Sequence, residues 1–338
     1  MPSFFKAAHR RRLSVIICAA SVAALAACSS SGGGGGSGGS GQTTASGGGS
    51  LTNLTVAYAA TGAGFADLYV GVADGIFKKY GLNVSLVQVT PANLVPALLS
   101  GSAQIGGGVA DGAASAILKG EQLKYVALTE GTYNLQLWAN SGVTSVKDLA
   151  GKTVALTTQG SETDFGLTAL LQSEGVNPSS VTRKYLVTAP QMLSAMHSGA
   201  ASAALFQPPT AQSLTATGGK IVDSLSNLPY AVGAYISPSS YVTANPSVIT
   251  KLIAAEKANL AYLRSNPQQT MAAIEQYNPT STAADNKIAY SFFLNVWKQD
   301  PTIEPSLVQA AFARAAATAH TTAPSSVTPY IFTPQASS

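Results

Sequence analysis

Six short stretches hold the residues that could do chemistry, each where an apolar run gives way to a turn. They are Ala59–Gly64, with Thr61 and Gly62; Thr90–Asn93, with Thr90 and Asn93; and Gly108–Asp111, with Ala110 and Asp111. The others are Thr129–Gly131, with Glu130; Thr158–Asp164, with Ser161, Glu162 and Thr163; and the pair Gln207-Pro208. Their hydroxyls, amides and carboxylates suit hydrogen bonding to a small solute. Loops at the carboxyl ends of parallel strands are where α/β sheets take ligands. Helices opening from such loops add unpaired N–H groups. None of the six contains Lys or Arg. A receptor for a small anion normally places a cation beside it, so this chemistry favours a neutral, heteroaromatic (pyrimidine-like) or cationic ligand over nitrate or a sulfonate.

Catalytic patterns are missing. There is no Gly-x-Ser-x-Gly elbow between a strand and a helix, no P-loop, no His-Glu-x-x-His and no Cys/His pair. Gly106-Gly107-Gly108 follows a strand, but its consecutive glycines lack the spacing of a dinucleotide fingerprint. Glu162 with Asp164 is the sole candidate acid–base pair. Ser161-Glu162-Thr163-Asp164 also reads as a capping box, Ser161 capping a helix and Asp164 reaching back. His197 and His320 have no neighbours at metal-ligand spacing. No metal and no cofactor is expected.

The elements that must position these loops alternate. Leu54–Tyr58 reads as a strand. Phe65, Leu68, Tyr69, Val72, Ile76 and Phe77 then share one helical face, closed by Gly81 as a left-handed terminator behind Lys78-Lys79. Leu82–Val89 follows as a strand too apolar to have a wet face. Further strands are expected at 103–108, 123–129, 154–157, 181–186, 203–206 and 220–225, with helices between them, the pattern of sheets flanked by helices. Leu135–Trp138 reads as a strand leaving the first lobe, and Tyr230–Ser237 as one carrying the chain back. Ala97–Ala103 and Ala195–Ala201 share a short helix ending at Ser-Gly before a buried strand, which suggests two lobes on one plan. After Asn245-Pro246 only helices are expected.

The ends are of another kind. Lys6, Arg10, Arg11 and Arg12 precede an apolar run, Leu13–Ala27, of signal-peptide length and too short to span a membrane. The run ends Leu25-Ala26-Ala27-Cys28, like a bacterial lipoprotein signal that would leave Cys28 lipidated. Residues 29–50 are almost pure Gly and Ser, a flexible tether with an end-to-end distance of about 25 Å. The chain has 19 Lys and Arg against 15 Asp and Glu, and four of the basic residues lie before Cys28. The remainder therefore has fifteen of each, and no electrostatic footprint for nucleic acid.

Four stretches resemble the extracytoplasmic solute-binding proteins of ABC importers for nitrate, sulfonate, taurine and thiamine-pyrimidine precursors. They are Asp74-Gly-Ile-Phe-Lys-Lys-Tyr-Gly-Leu-Asn-Val84, Leu99-Ser-Gly-Ser-Ala-Gln-Ile-Gly106, Val146-Lys-Asp-Leu-Ala-Gly-Lys-Thr-Val-Ala155 and Gly199–Pro208. The resemblance covers about residues 54 to 300. It implies an α/β, two-lobed periplasmic-binding-protein type 2 fold, each lobe a mainly parallel sheet with flanking helices, plus C-terminal helices. It also implies closure on a ligand, delivery to a membrane permease, and ligand contacts at Thr61, Thr90, Asp111, Ser161 and Glu162. Gln104, Ser202 and Gln207 stand where the family often has Asp, so the ligand class is not inherited.

The expected organisation is a signal peptide at 1–27, a lipidated tether at 28–50, lobe I at 51–138 and 231–320, lobe II at 139–230 and a loose tail at 321–338. The expected function is a lipid-anchored, monomeric, non-enzymatic receptor on the outer face of the bacterial cell membrane. Its partners are a small-molecule ligand and an ABC permease. A sulfonate, taurine or nitrate receptor of the same family is the alternative; a non-transport surface lipoprotein or an enzyme on the same fold are the other classes.

Overall fold

The computed structural model describes residues 50–334. The signal peptide, Cys28 and nearly all of the tether therefore lie outside the described residues. The strands are β1 (Thr52–Tyr58), β2 (Leu82–Gln88), β3 (Ile105–Gly108), β4 (Leu123–Leu128), β5 (Gln136–Ala139), β6 (Thr153–Leu156), β7 (Thr182–Tyr185), β8 (Ala203–Phe206), β9 (Lys220–Ser224) and β10 (Ala234–Pro238). The helices are α1 (Ala66–Ala73), α2 (Ile76–Lys79), α3 (Pro91–Leu99), α4 (Ala110–Leu118), α5 (Glu162–Ser173), α6 (Ala189–His197), α7 (Ser239–Ala244), α8 (Pro246–Ser265), α9 (Pro267–Tyr277), α10 (Ala283–Phe293) and α11 (Pro305–Thr318).

Two five-stranded sheets form, ordered β2-β1-β3-β10-β4 and β7-β6-β8-β5-β9. The two orders are equivalent. In each, three parallel strands are followed by one antiparallel strand that arrives from the other lobe, β10 in the first sheet and β5 in the second. The shared Ser-Gly device explains part of the symmetry. Gly101 and Gly199 adopt φ of 77° and 73°, and Ala103 and Ala201 return N–H bonds of 3.1 and 3.0 Å to the carbonyls of Ala97 and Ala195. Each turn then feeds the third strand of its sheet.

Several expectations need correction. Leu135–Trp138 does not leave the first lobe at 138. Strand β5 pairs with β8 and β9, so residues 136–138 belong to the second lobe's sheet. The helix expected through Phe77 breaks at Asp74-Gly75, where Gly75 takes φ of 66°. Gly81 does close the unit in the left-handed region, at φ 76°. Strand β2 has a wet face after all, because it sits at the sheet edge: Asn83 and Ser85 are exposed and Leu82 and Val84 buried. The tail is not loose over residues 321–334. Val327 is buried, Tyr330 stacks on Phe312, and the Phe332 N–H donates to the Tyr125 carbonyl at 2.8 Å.

The four long helices after Asn245 do not form a separate layer. Helices α8 to α10 bury Val248, Ile249, Leu252, Ile274 and Phe293 in the same core as Leu68, Tyr69 and Phe77. Helix α11 covers the opposite side of the first sheet, with Val308 and Phe312 in one core with Ala113, Ala114 and Tyr125. The first sheet thereby has helices on both faces.

Candidate functional site

Two crossover segments, 129–135 and 228–233, join the lobes and are zipped to each other. The Thr129 N–H donates to the Gly233 carbonyl at 2.8 Å, the Tyr230 N–H to Gly131 at 3.0 Å, and the Tyr133 N–H to Leu228 at 3.1 Å. The rings of Tyr133 and Tyr230 stack with centroids 4.2 Å apart. A cavity of about 510 Å³ opens beside this zipper and reaches across from the first lobe to Glu162 and Gln207 of the second.

Glu130 is on the crossover itself and is 1% exposed. Its carboxylate accepts from Asn134 Nδ2 at 2.9 Å. Burial pushes its pKa well above the usual carboxylate range, the Asn134 bond opposes this, and the charges of Asp67 and Glu162 add to it. Gly64 lets the backbone approach closely here: a Cβ at that position would lie 3.0 Å from Glu130 Oε1. Glu162 opens α5 on the facing lobe. Burial pushes its pKa up to about 7, with the Asn134 N–H opposing and Asp111 adding. Its Oε1 has no protein partner. Asn134 thus holds Glu130 by its side-chain amide and lies beside Glu162. The two carboxyl groups give the cavity hydrogen-bonding oxygens from both lobes, and burial holds the pKa of each above the usual carboxylate range.

Of the residues expected at the site, Thr61, Glu130, Glu162 and Gln207 line the cavity. Gly62 is adjacent, 3.4 Å from Gln207 Oε1 to its notional Cβ. Thr90 and Asn93 are exposed and leave the lining to their neighbours Pro91, Ala92 and Leu94. Ala110 is buried, and its carbonyl already accepts from the Tyr125 hydroxyl at 2.7 Å. The capping box at Ser161 does not form. Ser161, Thr157 and Thr163 instead join their hydroxyls in a triangle with edges of 2.9, 2.9 and 3.0 Å. Asp164 accepts from the Gly160 N–H at 2.9 Å and pairs with Arg183 at 2.9 Å, which makes it a structural group.

Asp111 is taken by a partner that no loop contained. Arg314 of α11 donates to both its oxygens, at 2.7 and 3.0 Å. The same guanidinium lies 4.3 Å from the Tyr230 ring centroid and 5.7 Å from that of Phe165. Arg314 therefore ties the first lobe to the second. Arg314→Ala should cost about 2 kcal/mol, because it strands a half-buried carboxylate and removes a cation–π contact. Arg314→Lys should recover only part of that, lacking the planar fork. Urea unfolding midpoints of the three proteins check this.

Sequence reasoning missed Arg314, 203 positions from Asp111, and Asn134, a polar residue only 3% exposed. Asn134 carried no local sign beyond its place four residues after Glu130. The cavity's lysine, Lys119, lies at the far end of α4 with Glu121 beside it in sequence. Among the described residues no group of three or more His, Cys, Asp or Glu could hold a metal ion, and no helix is long and apolar enough to cross a membrane.

The family described as NMT1/THI5 like matches residues 63–270, which takes in β2 to β10 and both crossovers. The chain belongs to the NMT1/THI5-like family. No curated protein matches the chain in sequence. Among solved structures, the periplasmic aliphatic sulphonate binding protein SsuA from Escherichia coli is 20% identical, with a TM-score of 0.65, over 80% of this chain and 92% of that one. The putative periplasmic sulfonate-binding protein SsuA of Methylobacillus flagellatus is 22% identical, with a TM-score of 0.67, over 83% and 92%. A Candida albicans protein with the generic periplasmic binding protein fold is 18% identical, with a TM-score of 0.61, over 83% and 96%. This member of the NMT1/THI5-like family therefore has the two-lobed periplasmic-binding-protein fold.

Proposed function

We propose that this chain is the solute-capturing component of an ABC importer, held at the membrane by a lipid on Cys28, and that its solute is neutral, heteroaromatic or cationic. The observation that carries the reading is the pair of acids, buried Glu130 and half-buried Glu162, that line one cavity at the lobe junction from facing lobes. Solute between the lobes would favour the closed arrangement by its contacts to both, the differential affinity that domain closure requires. The crossover zipper is the natural hinge.

A thermal-shift screen tests the ligand class. Amines and aminopyrimidines should raise the melting temperature, by about 5 °C or more at a hundredfold excess over Kd. Nitrate and short alkanesulfonates should leave it unchanged. A rise of several degrees with submillimolar taurine would move the reading to the sulfonate-receptor alternative, with Lys119 as the group to examine.

A further inference from the structure

The cavity is larger than the acid pair needs, and most of it lies elsewhere. From the cleft it continues between α3 and α4, down to the first sheet. Leu94, Val95 and Leu99 form the α3 wall. The α4 wall is Gly112, Ala113 and Ala116, a row of small residues that cannot reach across. The floor is Gly108 and Ile236. Leu94 drops onto the bare strand, its Cδ2 2.9 Å from where a Gly108 Cβ would stand, instead of bridging to α4. An open apolar slot results. From Gly112 to Lys119 it is about 10 Å long, at 1.5 Å per helical residue.

We propose that this slot is a subsite for an apolar tail, so that the captured solute is an amphiphile with a nitrogen-bearing head at Glu130 and Glu162 and an alkyl or aryl tail between α3 and α4. This rests on the solute-capture reading above. The occupant is identified by continuity: the slot opens into the acid-lined cleft, and its lining is carbon apart from Ser115 and the Lys119 and Glu121 rim. A cavity of about 510 Å³ falls within the range that holds drug-sized ligands of about 300–1,000 Å³, well beyond a small inorganic ion.

Calorimetric titration with n-alkylamines from propyl to nonyl tests the subsite. Affinity should rise about three- to fourfold for each methylene buried, and level off near the chain length that fills about 10 Å. Gly112→Leu plugs the mouth: Gly112 borders the cavity, and a Cβ there meets no atom within 4 Å. The variant replaces a poor helix former with a good one, so its melting temperature should not fall, and the dependence on chain length should flatten. Short amines that bind with no gain from longer tails would overturn the subsite and leave the capture reading standing. A length dependence undiminished in Gly112→Leu would overturn it too, by placing the tails elsewhere. If n-alcohols of the same lengths show the gain and amines do not, the slot is upheld and the charged-head reading falls. Absence of binding in both series overturns the subsite.

Discussion

Between pH 5 and pH 8 the melting temperature of the ligand-free protein should fall by about 5–10 °C, the reverse of ordinary acid sensitivity. Three buried acids, Asp67, Glu130 and Glu256, and the half-buried Glu162 set this direction. Burial pushes Glu162 up to about 7 and Asp67 up to about 6, and holds Glu130 and Glu256 well above the carboxylate range. Asp67 and Glu256 face each other in the first lobe's core, between α1 and α8. The Tyr235 hydroxyl donates to Asp67, and Asn259 Nδ2 donates to Glu256 at 3.2 Å. In the unfolded chain all four titrate near 4. Folding therefore retains protons that the unfolded chain releases. Stability from these groups is fully present below about pH 4 and is lost as pH rises through about 6 and 7. Glu162 and Asp67 together account for about 3 kcal/mol of loss across the window, and each kcal/mol moves the midpoint by about 2–4 °C in a chain of this size. Asp148 and Asp300, whose pKa values are lowered by hydrogen bonds, act below this range and do not oppose it. Scanning calorimetry at constant ionic strength reads the effect, and Glu162→Gln should flatten its upper half. A midpoint that is level or rising from pH 5 to 8 would remove the basis for a protonated acid pair in the cleft.

Gly233→Ala should lower stability by about 3 kcal/mol and loosen the hinge. Gly233 is the point where the two crossovers touch most closely. A Cβ there would come within 2.4 Å of Thr129 Oγ1, 2.9 Å of the Glu130 backbone nitrogen and 3.2 Å of Glu130 Cγ. Two of these neighbours cannot rotate away without breaking the bonds that Thr129 donates to the Gly233 carbonyl, at 2.8 and 3.2 Å. Overpacking and lost hydrogen bonds each cost about 1–3 kcal/mol. Because Glu130 must shift, affinity for any cleft ligand should fall with stability. Gly112→Ala is the contrast, at an exposed position of α4 with open space, and should be neutral or stabilising by up to about 1 kcal/mol. Denaturant midpoints that coincide for Gly233→Ala and wild type would show that the zipper is slack.

Much of the fold was legible in the residues alone. The alternation of strands and helices, the left-handed glycines at 81, 101 and 199 and the helices opened by Asn245-Pro246 and Asn266-Pro267 are all local signals. Caps, turns and burial periodicity act within a few residues of themselves, so a sequence displays them directly. The resemblance to the solute-binding family rested on the same stretches, and the family match spans them.

What the sequence by itself determined, then, is the succession of elements, the family and the acidic character of the loops, including Glu130 and Glu162. Tertiary structure alone decided which sheet β5 joins, since Gln136–Ala139 pairs with strands some 65 and 80 residues onward. It decided that Asp111 pairs with Arg314, that Asn134 donates to Glu130, and that Asp74-Gly75 breaks a continuous apolar face. It also opened the slot beside α4, whose small residues read as ordinary helix formers until the neighbouring Leu94 is seen to turn away. The physical reason is common to all of these: each depends on which side chain arrives from a distant part of the chain, and pairing at long range leaves no local pattern.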